Sequence, residues 1–395
     1  MNTLGIYISV PFCRSKCTYC NFASGVFPSS YMERYVERVC EDLRVAVSRF
    51  PGIPRMVDTV YLGGGTPSLL PPDLLKTLFG TIREHFLIVK GAEITIECAP
   101  GQVANEALDA MTESGVNRIS FGVQSFIDQE AKATGRLHTR AIALEDIRRM
   151  RKAGIRHVNA DLIAGLPHQT AASWHESLAV LVDSGVDHAS IYMLEVDDDS
   201  RLGREVLNGG ARYYAPAIPS DDAIADMYAG AVDMLTENGL KQYEISNFAH
   251  AGSESVHNMK YWLRHPYLGL GLDAHSMLRI ENGAAIRFAT TDDLQAYLTT
   301  TGWDDAHILT RQEELEEAWF LGLRVSCGIS LQTMKSEFGR EVAEPYMPII
   351  QELIADGFLE TNADQVSLTL RGRMLSNEVF ARFLDVVETA QPATV

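Results

Sequence analysis

Six short runs rich in β-branched residues, each followed by an amphipathic segment, limit the fold of this 395-residue chain more than any other feature. The runs are GIYISV from Gly5, DTVYLG from Asp58, EITIEC from Glu93, NRISFGV from Asn117, HVNADLI from His157 and HASIYML from His188. Segments between them, such as SSYMERYVERVCEDLRVAV and RAIALEDIRRMRKAG, space apolar residues as a helix does, and several end on a glycine suited to a C-cap. Strands that alternate with helical crossovers pair in parallel, so an α/β fold is expected. Its core is a partial (β/α)6 TIM-like barrel over residues 1–206.

Past about Leu207 the rhythm breaks. A helix near SDDAIADMYAGAVDMLTENG, the run LKQYEISNFA and the Gly-rich YLGLGLDAHSML predict an extension of the barrel over 207–290. Residues 291–395 read as a mainly helical, winged-helix-like domain, with a hairpin at FLETNADQVSLT and a final helix to about Val387.

A formal charge of −18 argues against a nucleic-acid partner, since phosphates would be repelled and no basic run offsets that charge. No stretch approaches the roughly 20 apolar residues that span a bilayer. The N-terminus shows no basic region followed by a long apolar one. A cytoplasmic protein without a transmembrane segment is expected. Three of the six cysteines are clustered and three scattered, unlike a disulfide framework.

The cluster is VPFCRSKCTYCNF, with Cys13, Cys17 and Cys20 on the loop after the first strand. A structural zinc would want a fourth protein ligand. A 4Fe-4S cluster on three thiolates leaves one iron open to an outside ligand, so three is then the functional number. Cys40, Cys98 and Cys327 read as core or edge residues. In YLGGGTPSLL, Gly63 to Gly65 end a strand and allow close backbone approach to a small polar ligand. Glu97, Gln124, Arg136 and Asp161 fall at or after the C-terminal ends of successive strands, which converge at a barrel's mouth. Such groups can hold ribose hydroxyls and an amino-acid tail.

Together with IECAPG, RISFGVQSF, GRLH and NADLIAGLPHQT, these motifs resemble the radical S-adenosylmethionine superfamily, and within it the HemN/HemW group. The resemblance covers nearly the whole chain. It implies a 4Fe-4S cluster on Cys13, Cys17 and Cys20, and contacts to S-adenosylmethionine from Tyr7, Gly64, Gly65, Thr66, Glu97, Gln124, Arg136 and Asp161. It also implies a possible second molecule of that cofactor, with Tyr19 as a shield over the cluster.

HNMKYW, His257 to Trp262, resembles the signature of the HemW haem chaperones. This implies haem as cargo, an unidentified haem-acceptor protein as partner, and His257 as the tentative haem ligand. A neutral imidazole suits haem iron, and Tyr261 and Trp262 could form an aromatic wall. His250 and His275 are weaker alternatives. Phe22 stands where porphyrinogen dehydrogenases of the HemN type carry a further cysteine, which favours the chaperones. The alternatives are oxygen-independent coproporphyrinogen III dehydrogenation and a two-cofactor radical methyltransferase or cyclopropanase.

Overall fold

The computed structural model describes residues 3–280, 283–300, 302–303, 306–340 and 344–384. All six expected strands form: β1 Leu4–Val10, β2 Met56–Gly64, β3 Leu87–Cys98, β4 Arg118–Gln124, β5 His157–Ala164 and β6 His188–Met193. They pair in parallel in sequence order.

The sheet does not stop there. β7 Lys241–Gln242 and β8 Asn247–Ala249 extend it beyond β6, while β9 Tyr267–Gly271, β10 His275–Arg279, β11 Ala285–Ala289 and β12 His307–Ile308 extend it beyond β1. β9 lies parallel to β1, and β10 returns antiparallel. Among the described residues the result is an open, twelve-stranded partial barrel.

The two faces of the sheet differ in chemistry. Outward residues such as Ile6, Ile8, Leu62, Ile96, Ile119 and Leu162 are fully buried under the helices. Burial of each such side chain contributes about 1.5–3 kcal/mol. Helices Tyr31–Arg49 and Pro72–His85 supply Val36, Val39, Leu43, Leu75, Leu78 and Phe79 from one face each, the pattern their apolar spacing predicts. The inward positions of the central strands are largely polar: Thr59, Glu93, Thr95, Glu97, Arg118, Ser120, Asn159, Asp161, His188 and Ser190. Side chains that alternate in this way give a parallel sheet an aliphatic outside and a hydrogen-bonded inside.

A second core is built on Leu315, Trp319, Tyr346, Val366 and Phe383. It covers a three-stranded antiparallel sheet of β13 Ile329–Ser330, β15 Gln365–Leu368 and β14 Leu359–Asn362, in that order. The expected hairpin is β14–β15. The expected final helix is two short ones, Leu370–Met374 and Ser376–Ala381, and its last residues lie outside the described ones. Leu294, Tyr297 and Trp303 pack into the larger core, while the smaller one takes Ile245 together with residues from Leu315 onward. Among the described residues no helix is long and apolar enough to cross a membrane.

Candidate functional site

The loop after β1 is pinned on three sides. Cys13 N–H donates to the Gly25 carbonyl (2.9 Å), Thr66 N–H to Phe12 (2.8 Å) and Thr18 N–H to Thr134 (3.1 Å). Cys13, Cys17 and Cys20 are free, half-buried thiols. The Thr66 hydroxyl lies 3.9 Å from Cys13 Sγ, and the Ser24 hydroxyl 3.9 Å from Cys20 Sγ. Burial pushes the Cys13 thiol up, against the pull of Ser24 and Thr66. Cys40 and Cys98 are buried, and Cys327 is exposed. Tyr19 packs toward Arg136 and Cys17, and burial raises its hydroxyl strongly.

The glycines of GGGTP are required by the protein's own packing. A Cβ on Gly65 would stand 2.7 Å from the Val10 carbonyl oxygen and 2.8 Å from that of Phe12, and one on Gly63 would stand 2.9 Å from the Tyr61 ring. Gly65 therefore lets the end of β2 lie against the cysteine loop, while Gly64 adopts a positive φ of 99°. Gly65→Ala is expected to displace that loop and lower iron content after anaerobic reconstitution, although all three thiols remain; a full complement of iron would refute the reading.

Glu97 sits at the inner end of β3. Its carboxylate accepts from the Tyr61 hydroxyl (2.8 Å) and the Gly64 N–H (3.1 Å). Burial, reinforced by Asp161, pushes it up to about 7. Asp161 accepts from Asn159 (2.6 Å) and Ser120 (3.4 Å), and burial raises it too. Gln124 has a positive φ of 70°. Gly122 makes room for it and for Arg136, because a side chain there would run into both. Gln124 Oε1, Arg136 Nε and His138 Nε2 are buried with no hydrogen-bond partner among the described residues. Burial and Arg136 push the His138 imidazole down to about 4. Unpartnered polar atoms gathered at a barrel mouth are atoms prepared for a ligand.

HNMKYW forms a short helix, Val256–Trp262, at the opposite end of the barrel interior. Glu93 holds its N-terminus. The carboxylate accepts from the N–H groups of Val256 (3.1 Å) and His257 (3.0 Å) and pairs with Arg118 (2.9 Å). Lys260 pairs with Asp58 (2.7 Å). His257 is 1% exposed. One ring nitrogen bonds Thr59 Oγ1 (2.8 Å) and the other the Tyr261 hydroxyl (2.8 Å). Burial and Lys260 push the imidazole down to about 3, so it is neutral. As placed, His257 offers no free nitrogen to a metal. It fixes Tyr261 instead. Sequence reasoning missed Thr59, Glu93 and Arg118; the signal was polar residues at alternate positions of strands expected to be buried on both faces.

Between the two cores lies a cavity of about 430 Å³. Tyr7, Ser9 and Gly64 line its barrel side, Tyr261, Trp262 and Tyr267 form an aromatic wall, and Asp273, His275 and Arg287 come from β9–β11 and their turn. Phe22 and Ala23 of the cysteine loop and Leu321 of helix Arg311–Gly322 complete it. The Trp262 indole nitrogen is buried without a hydrogen-bond partner among the described residues. His257 does not line this space.

Three soft thiols lacking a fourth, next to a carboxylate and unpartnered Gln, Arg and His atoms, fit an iron–sulfur cluster with one open iron and a charged amino-acid ligand upon it. The chain is a member of the radical SAM superfamily: that family's model matches residues 7–181, and the HemN C-terminal domain matches residues 309–375. Such a scaffold works with a 4Fe-4S cluster and S-adenosylmethionine. The chain is 32% identical to the haem chaperone HemW of Lactococcus lactis over 381 residues, 96% of each chain. It is 30% identical to HemW of Bacillus subtilis over 387 residues, 96% of this chain and 98% of the relative. It belongs to the HemW family. Its fold matches the coproporphyrinogen III oxidase HemN of Escherichia coli with a TM-score of 0.82 at 22% identity, over 97% of this chain and 90% of that one.

Proposed function

We propose that this protein binds haem in the cavity between its two cores and hands it to an acceptor protein in the cytoplasm. The observation that carries this is the cavity itself: its size lies within the range of small-molecule sites, and its wall is aromatic with a few polar groups, as a flat apolar macrocycle with charged edges needs. Kinship with the haem chaperones supports it. Porphyrinogen dehydrogenation and methyl transfer are not favoured, since the relatives matched along nearly the full chain are haem chaperones.

In this reading Cys13, Cys17 and Cys20 hold the cluster, and Glu97, Gln124, Arg136 and Asp161 hold S-adenosylmethionine, with Gly64, Gly65 and Thr66 against its amino-acid end. The cluster supplies one-electron chemistry when bound. The protein's part is to position and shield, with Tyr19 over the sulfurs. Tyr7 and Gly64, also in the cofactor set, line the haem cavity too, so cofactor and cargo would lie side by side.

Titration of haem into the anaerobically reconstituted protein is expected to give a shifted Soret band saturating at one haem per chain. A spectrum that stays that of free haem overturns the proposal. With coproporphyrinogen III, reductant and S-adenosylmethionine, no decarboxylated product is expected.

Glu97 sets a pH dependence. Its folded value of about 7 lies above its ordinary 4.5. The bound proton therefore stabilises the ligand-free fold fully below the ordinary value, and that stability is lost as pH rises through about 7. Ionised Glu97 accepts hydroxyls more strongly than the protonated acid does, so S-adenosylmethionine affinity should run the other way, weakening from about pH 8 to about pH 6. Calorimetric titration checks this; Glu97→Gln should bind weakly with no such slope, and an unchanged slope in that variant removes Glu97 from the cofactor site.

A further inference from the structure

We infer that His275, at the start of β10, is the residue that ligates the haem iron, and that His257 is a positioning residue behind the aromatic wall. The inference rests on the haem-carrier reading above.

The two imidazoles stand in opposite circumstances. His257 is enclosed by Tyr7, Tyr61 and Tyr261, with ring centroids 6.3, 5.2 and 5.2 Å away, and both its nitrogens are engaged. An iron atom could reach it only by breaking its bond to Tyr261 or to Thr59 and leaving that hydroxyl without its partner. His275 is exposed, lines the cavity, and its ring has no hydrogen-bond partner among the described residues.

Register puts His275 where a macrocycle lying on the aromatic wall would meet it. Met277 pairs with Tyr267 of β9 and with Arg287 of β11, so these share one face of the sheet, and His275, two residues from Met277, projects from that face. Tyr267, His275 and Arg287 accordingly line the same cavity.

The backbone that presents the imidazole is tightly held. A side chain on Gly269 would collide with the His275 carbonyl, so only glycine lets β9 and β10 approach there. Ala274 N–H donates to Thr290 Oγ1 (2.8 Å) and Asp273 N–H to the Thr291 carbonyl (2.9 Å). Asp273, in a left-handed turn with φ of 53°, stands two residues before His275 and lines the same cavity. A ligand on a clamped strand, with both ring nitrogens free of competing partners among the described residues, is held in place before iron arrives.

The test uses the full-length, cluster-loaded protein, haem titration, and electron paramagnetic resonance with resonance Raman spectra. His275→Ala should lose the histidine-ligated signature, and added imidazole should restore it. His257→Gln should keep the signature, with affinity altered through Tyr261. Unchanged cluster content and circular dichroism show that the variants are folded. Retention of wild-type ligation by His275→Ala, or its loss only in His257→Gln, overturns the inference. Failure of the wild-type protein to bind haem overturns the carrier reading itself, which is a separate outcome.

Discussion

Alanine in place of any one of Cys13, Cys17 and Cys20 is expected to leave the anaerobically reconstituted protein with background iron and acid-labile sulfide and no brown colour. Four irons with one already open cannot be held by two thiolates. No other cysteine can substitute. Cys98 faces outward from β3, and burial pushes its thiol up to about 12; Cys40 is buried in a helix of the larger core. Cys327 is exposed beside the smaller core. Cys40→Ala, Cys98→Ala and Cys327→Ala should therefore keep full clusters. A stable cluster in a single variant of the loop would sink the three-thiolate site.

The second large effect is expected at Glu93. Its carboxylate joins Arg118 to the N-terminus of helix Val256–Trp262, and Arg118 donates onward to the carbonyls of Ser253 (2.7 Å) and Glu254 (3.0 Å). Glu93 and Arg118 are 8% and 3% exposed. Glu93→Ala strands a buried guanidinium charge and frees the helix end, a loss of about 3–5 kcal/mol. Urea unfolding followed by circular dichroism should show a clearly lowered midpoint, with Glu93→Gln milder because an acceptor remains. The exposed pair Lys76–Glu113 is the control, and alanine there should move the midpoint little. Equal midpoints for the two alanine variants would show that the buried pair anchors nothing.

The six central strands were legible because β-branched runs and glycine-capped helices alternate without interruption. The two-sided chemistry of the sheet was legible only in hindsight. EITIEC contains both Glu93 and Glu97, and periodicity alone cannot say that one anchors a helix more than 160 residues away while the other faces the barrel mouth. The strands beyond β1 were hidden for a different reason. YLGLGLDAHSML is poor in the residues that favour strands, and Gly269 and Gly271 belong there because neighbouring backbones pass too close for any side chain. The motif around His257 contributes Tyr261 and Trp262 to the cavity wall. Which of its residues face the cavity depends on a contact with Thr59, 198 residues earlier, that spacing cannot disclose.

One wall of the cavity comes from the second core. Helix Arg311–Gly322 turns Leu315 and Trp319 into that core and offers Leu321 to the cavity. The same unit is tied to the sheet by Arg287–Glu317 (2.8 Å), Arg279–Glu314 (2.9 Å) and Arg264–Glu337 (2.9 Å). On the proposal that haem occupies the cavity, cargo and attachment of that helix would be linked reciprocally: whatever factor the cargo adds to the attachment, loosening the attachment removes from the cargo's affinity. An acceptor that gripped the helix and drew it aside would lower retention by the coupling free energy between the two. Handover on these terms calls for leverage rather than fuel.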